Sequence, residues 1–200
     1  MAADSSILDD RPALASARAP ALAPAPASTR CAQAHTDVQW RCLPFGALLP
    51  DTLYRLLRLR SAVFVVEQAC VFLDLDGLDP QCLHILGERP GSPAEAALVA
   101  SARLVPPGVA YAEASIGRVA TAPTARGLGL GHALMAQAVQ TLEQLWGPQP
   151  IRIGAQAHLQ SFYGQHGFVA DGAPYVEDGI AHIEMILNPA VDRFSRKARC

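Results

Sequence analysis

Three glycines in five residues, within Arg126-Gly127-Leu128-Gly129-Leu130-Gly131-His132, part a β-compatible run from an amphipathic helix, and this junction constrains the fold more than any other stretch. Ahead of it, Ala112 to Thr121 reads as a strand. From Gly127 to Trp146, Met135, Val139, Leu142 and Trp146 fall at i, i+4, i+7 and i+11, widened by Leu134, Ala138 and Leu145, until Gly147 and Pro148 stop the period. The spacing predicts a helix with one buried face, entered through a glycine loop. Glycines there let backbone amides approach an anion and adopt positive φ without a side-chain clash, while the helix N-terminus adds partial positive charge. A diphosphate is the natural guest, although a glycine-rich helix entry that binds nothing has the same composition.

The loop discriminates among diphosphates. A phosphate-binding P-loop ends in Gly-Lys-Ser/Thr, whereas Gly131 is followed by His132 and Ala133, which speaks against a magnesium nucleotide. A dinucleotide fingerprint needs G-x-G-x-x-G and an acid about 20 residues on; here the spacing is G-x-G-x-G and the region near Pro148 offers no acid.

The remaining segments fill in a mixed α/β pattern. Val38 to Cys42 begins the strand-like material, and Asp51 to Glu67 carries Leu53, Leu56, Leu57, Val63 and Phe64 at helical intervals behind a Pro50-Asp51 start signal. The acidic stretch Asp74, Asp76, Gly77, Asp79 and Pro80 reads as a loop, Leu83 to Gly87 as a strand, and Pro90 to Pro93 as a turn. Ala97 to Val105 and Ala112 to Thr121 are strands on either side of Pro106-Pro107-Gly108, forming a hairpin. Ile151 to Gly154 is a further strand, Leu159 to His166 a short helix and Ala181 to Leu187 a last strand. No internal repeat is present, which excludes a solenoid.

At 200 residues, half of them hydrophobic, the chain suffices for one well-buried domain. A formal net charge of −2 lacks the basic excess that phosphate neutralisation on nucleic acid requires. Five scattered cysteines, Cys31, Cys42, Cys70, Cys82 and Cys200, contain no C-x-x-C pair and suit a reduced, cytoplasmic setting with neither disulfides nor metal. Apolar runs such as Ala62 to Val66 stop well short of a membrane span, so no membrane partner is expected. Residues 1–35 are rich in Ala and Pro without amphipathic period and read as a disordered tail; Asp4, Asp9 and Asp10 contradict the acid-poor composition of a transit peptide. The expected division is therefore tail 1–35, domain 45–190 and C-terminal tail 191–200.

Two motifs then converge on one family. Arg126-x-x-Gly129-x-Gly131 resembles the R/Q-x-x-G-x-G/A signature of the GNAT N-acetyltransferases, and Phe162-Tyr163-Gly164-Gln165-His166-Gly167-Phe168 resembles their F-Y-x-x-x-G-F motif. Arg60 to Gln68, Ile116 to Val119 and Gly154 to Gln160 resemble the ElaA-type branch, over a match running from about Phe45 to Asn188. The resemblance implies a GNAT fold of class α/β: a single domain with a mixed, mostly antiparallel, splayed β-sheet and about four flanking helices. It also implies acetyl-CoA as co-substrate, no metal, and transfer of the acetyl group to an amine-bearing small molecule or peptide, by a monomer or homodimer. By the same resemblance, backbone groups of Val119 and Thr121 pair with the pantetheine arm. Amides of Gly127, Leu128, Gly129, Gly131 and His132 hold the pyrophosphate, Arg126 adds charge, and Gln156 stands where many relatives carry Asn.

Thioester aminolysis needs a neutral amine, a donor to the developing oxyanion and a proton for the leaving thiolate. Tyr163 fits the last need, since a phenol with a pKa near 10 is protonated at pH 7; Phe162, Tyr163 and Phe168 equally suit simple core packing. A backbone amide near Val119 suits the oxyanion. For the base, Glu113, His84, His182 and a water chain are alternatives to Glu67, the preferred residue, whose pKa is expected to be raised if the apolar run Val63 to Val66 desolvates it; otherwise Glu67 is a solvated helix-end charge or a structural partner of Arg60. The Asp74 to Asp79 loop would attract a cationic amine or form a solvated turn, and its spacing is not that of a calcium loop. Two competing readings are a non-catalytic acyl-CoA sensor and an acyl-homoserine-lactone-synthase-like acyl transfer, the latter from Arg60, Phe64, Glu67, Asp74 and Asp76.

Overall fold

The computed structural model describes residues 37–189, so the expected tails 1–35 and 191–200 lie outside the described residues. Eight strands form one sheet: β1 (Gln39–Pro44), β2 (Leu83–Glu88), β3 (Leu98–Val105), β4 (Ala114–Thr121), β5 (Ile151–Gln156), β6 (Val169–Ala170), β7 (Tyr175–Glu177) and β8 (Ile180–Leu187). Their order is β1-β2-β3-β4-β5-β8-β6, with β7 also on β8; every pairing is antiparallel except β4 with β5. Among the described residues the sheet starts at β1, which pairs with β2 ahead of the expected boundary at residue 45.

Helices cover both faces. Helix α1 (Pro50–Arg60) starts with Pro at its first position and Asp51 in its first turn and ends with Arg58 and Arg60, the charge order that the helix dipole favours. Its buried Leu56 and Leu59 pack with Leu48 and Val63 on Leu86, Leu98 and Ala120 of β2, β3 and β4. Helix α2 (Ala94–Ala97) is one turn before β3. Helix α3 (Leu130–Trp146) lays Leu130, Leu134, Met135, Ala138 and Leu142 on the opposite face, against Ile85, Leu104, Ile116, Ile151 and Ile153. Helix α4 (Gln160–Gly164) is short. Covered on both faces, β3 is buried at every position, which explains why its sequence is apolar apart from Ser101 and Arg103.

Several expectations change in detail. The helix expected over Asp51 to Glu67 is α-helical only to Arg60; Ser61–Glu67 continue as a π-helical segment, a winding that is concentrated at functional sites. Leu145, expected on the buried face of α3, is 47% exposed. Strands β6 and β7 were not legible as alternating runs, being two and three residues long. The one local sign of β7 is Asp178-Gly179, at φ +50° and +80°, which closes the β7–β8 hairpin between Glu177 and Ile180.

Gly87 on β2 shows how tightly this sheet packs. A Cβ there would lie 2.6 Å from Trp40 Cζ3 and 3.2 Å from Ala100 Cβ on the flanking strands. Gly87→Ala is expected to cost about 1–3 kcal/mol through overpacking, lowering the melting temperature by roughly 3–10 °C in a thermal scan. An unchanged melting point would mean that Trp40 moves aside freely.

Candidate active site

The sheet opens at its centre. Strands β4 and β5 pair only at Ala114 with Ile151 and Ser115 with Arg152, and beyond that register they diverge. The gap forms a cleft of about 700 Å³, walled by Ile116 to Thr121 on one side and by Gly154 and Gln156 on the other. Arg152 ties the closed end together, reaching Glu113 at 2.9 Å, Asp171 at 2.8 Å and Glu184 at 2.8 Å.

The β4 wall is bulged. Between the pairs Arg103 with Gly117 and Ser101 with Ala120, β4 carries one residue more than β3, and Arg118 takes φ +50°. A bulge removes its residues from the hydrogen-bonded ladder. Backbone groups around Arg118 and Val119 therefore stand outside the β3 pairing on a strand that borders the cleft.

The acidic loop holds this bulge. Arg118 Nε lies 2.7 Å from Asp74 Oδ1 and its Nη2 3.1 Å from Asp76 Oδ2, with the guanidinium 5.6 Å above the Phe72 ring. Behind it, buried Arg60 pairs with Asp74 at 2.9 Å and Asp79 at 2.8 Å, and Arg103 pairs with Asp76 at 2.6 Å and Asp79 at 3.1 Å. Burial alone would raise the Asp76 carboxyl, but the hydrogen bonds and charge of Arg103, with the Leu78 amide and Arg118, bring it down to about 2. Neither the solvated turn nor the open cation lure expected of Asp74 to Asp79 is found: these carboxylates are spent on three arginines.

The glycine loop borders the cleft, which takes in Arg126 and Gly131. Gly127 (φ +74°) and Gly129 (φ +73°) both adopt left-handed backbone, and Gly129 is the N-cap of α3. No side chain caps that helix and no acid sits in its first turn. A Cβ added at Gly127 would meet nothing within 4 Å, while at Gly131 it would come to 3.5 Å from the Phe162 ring. An uncapped helix N-terminus behind such glycines fits a diphosphate group.

Tyr163, on α4, is 8% exposed and lines the same cleft, edge-on to Phe162 at 5.0 Å and to Phe168 at 6.2 Å between centroids. Burial pushes its phenol up to about 12, so the group is a proton carrier at neutral pH.

Comparison with known proteins matches this geometry to a family. The acetyltransferase (GNAT) domain pattern matches residues 92–189. The chain is 41% identical to ElaA of Escherichia coli over 150 residues, 74% of this chain and 95% of ElaA. The chain belongs to the GNAT superfamily, in its ElaA branch. A UPF0039 protein of Synechocystis is 40% identical over 150 residues, 75% of this chain and 95% of that protein. The crystal structure of an acyl-CoA N-acyltransferase from Pseudomonas aeruginosa superposes with a TM-score of 0.69 at 43% identity, covering 75% of this chain and 99% of that one. The E. coli ElaA crystal structure superposes equally, with a TM-score of 0.69 at 39% identity over 76% of this chain and 99% of ElaA.

The GNAT cleft brings together Val119, Thr121, Arg126, Gly131, Gln156, Tyr163 and Glu67. Gly127, Leu128 and Gly129 sit on the loop that enters α3, and His132 lies in the first turn of that helix, its amide donating to Gly129 O at 3.0 Å. The side chain of Gln156 donates to Gln68 Oε1 at 3.0 Å, and His132 Nδ1 lies 2.9 Å from His166 Nε2. Gln68, Phe72 and Arg118 also line the cleft, and sequence reasoning did not single them out as site residues. Only the positive φ of Arg118 sets it apart, and no residue type in the sequence signals that.

The expectation for Glu67 is corrected. Its partner is Arg126, not Arg60, with Nη1 to Oε1 at 2.6 Å and Nη2 to Oε2 at 2.8 Å. The side chain is 41% exposed, and the hydrogen bond from Arg126 lowers its pKa where desolvation was expected to raise it. His84 is buried beside Asp79 O at 3.3 Å, within the arginine network, and Glu113 is engaged by Arg152. His182 lines the cleft with Nδ1 held 2.8 Å from Ile180 O. Among the described residues, no group of three or more potential metal ligands gathers, and no helix is long and apolar enough to cross a membrane.

Proposed function

We propose that this chain transfers the acetyl group of acetyl-CoA to a primary amine on a small molecule or peptide, by direct attack within a ternary complex. The observation that carries this reading is the shared cleft: the bulged β4 wall and the buried Tyr163 phenol line one opening that also takes in Gly131 of the uncapped glycine loop. Acetyl-CoA, when bound, supplies the activated thioester. The amides of Gly127 to His132, with the N-terminus of α3, hold its diphosphate, and Arg126 adds charge. Backbone groups of Val119 and Thr121 pair with the amide-bearing arm. A main-chain N–H near Val119 donates to the carbonyl oxygen as negative charge grows there, a term commonly worth about 10²–10³ in rate. Glu67 accepts a proton from the acceptor ammonium, leaving a lone pair free to attack. Tyr163 gives its phenolic proton to the departing sulfur, so that O–H breaks as S–H forms; the nitrogen sheds its second proton to solvent as the amide forms, and the tyrosinate takes one back.

The test is direct. Incubating the protein with isotope-labelled acetyl-CoA and a pool of amines and peptides should yield a labelled amide, read by mass spectrometry, that the enzyme-free control lacks. A protein that binds acetyl-CoA and labels nothing would be a sensor of acyl-CoA, and the transferase reading would fall.

A further inference from the structure

Arg126 is the first residue of the glycine loop signature, yet its guanidinium is already engaged. Glu67 meets it head-on through two hydrogen bonds of 2.6 and 2.8 Å, and its Nε and Nη2 each lie 3.3 Å from Thr121 O. The two side chains come from opposite walls. Glu67 ends the π-helical segment that extends α1, Arg126 precedes α3, and both line the cleft. A guanidinium presents an end-on and a side-on pair of N–H groups to a carboxylate or a phosphate; Glu67 takes the end-on pair and Thr121 O lies on the side-on pair, so a phosphate that takes the end-on pair must displace Glu67.

We infer that Glu67 is an internal rival of the cofactor's diphosphate for Arg126, so that loading the donor site breaks the Glu67–Arg126 pair and frees the carboxylate. This rests on the reading of the glycine loop as a diphosphate cradle. The consequence is an order built into the cleft. While Glu67 is pinned by two charge-assisted bonds it is a poor proton acceptor; once the guanidinium turns to phosphate, the carboxylate is free to take a proton from the acceptor ammonium. Acceptor activation is thereby restricted to the loaded enzyme. The same exchange makes cofactor binding weaker than the loop alone would give, because an ion pair must be surrendered for it. Both side chains are about 40% exposed, so the surrendered pair is a modest one.

Calorimetry on the full chain decides this. Glu67→Gln keeps the shape and removes the charge, at an exposed site where folding is not at stake. The variant is expected to bind CoA roughly two- to fivefold more tightly than the wild type, the range that an exposed, well-aligned ion pair is worth. Pantetheine, which carries the same arm without the diphosphate, should bind both proteins equally. Equal or weaker CoA binding by the variant would overturn the latch and leave the donor-site reading standing, as would a matching gain for pantetheine, because the effect would then not run through phosphate. CoA bound by neither protein would overturn the donor-site reading and the latch with it.

Discussion

Tyr163→Phe is expected to lower kcat roughly 100-fold while CoA affinity changes by less than about twofold, the low end of what a positioned general acid contributes. The substitution removes one oxygen from a ring that is otherwise retained. Packing against Phe162 and Phe168 is edge-to-face and independent of the hydroxyl, so the fold and the cleft wall survive. What disappears is the proton that the proposed mechanism gives to the leaving sulfur. Because burial holds the Tyr163 phenol at about 12, the wild-type group is protonated across the whole working range, and its deprotonation contributes no pH dependence between roughly pH 6 and 9. The measurement is steady-state turnover with the amine found by labelling, beside CoA calorimetry on the same preparation. Unaltered kcat would return Tyr163 to a packing role. A loss of affinity as large as the loss of turnover would make it a binding residue.

The sequence carried the donor half of the cleft because that half is built from local rules. A strand, a glycine loop and a helix must follow one another, and left-handed backbone at Gly127 and Gly129 calls for glycine in the sequence itself. The wall that carries Glu67 is not local. Glu67 reads as a carboxylate at the end of an apolar helix, but it is exposed and pairs with Arg126 from a distant loop, after a change of winding beyond Arg60 that no residue between Ser61 and Val66 announces. Likewise, the Asp74 to Asp79 loop has the composition of a solvated turn. It is a structural part because Arg60, Arg103 and Arg118, from a helix and two strands, converge on it. Long-range charge pairing leaves no periodic trace, whereas hydrophobic faces do. The faces of α1 and α3 were therefore legible while the network between them was not.

That network should be the most fragile feature of the fold. Arg60 is 1% exposed and bonds Asp74 through Nε and Asp79 through Nη1, and also donates from Nη2 to Asp74 O at 3.0 Å. Arg60→Met fills similar space and leaves those carboxylates buried with fewer cations. Breaking one side of a buried pair commonly costs about 3–5 kcal/mol, which for a chain of this size is a fall of roughly 10 °C in melting temperature. The pH dependence distinguishes this cause from lost packing. In the wild type the Asp76 carboxyl is held at about 2, and the Asp79 carboxyl, against the opposing effect of burial, is held below its usual range by Arg60 and Arg103. Carboxylates depressed in the fold stabilise it above their unfolded pKa near 4, and that stability drains away as the pH falls toward 2. In the variant, Asp79 loses one of its two arginines and takes up a proton more readily, so acidification relieves the defect. The gap between wild type and variant in urea unfolding should therefore be widest near pH 7 and narrow steadily toward pH 4. A gap that holds constant over that range would assign the loss to packing of the Arg60 stem, and a melting point within 2 °C of the wild type would show that the arginines add little to the fold.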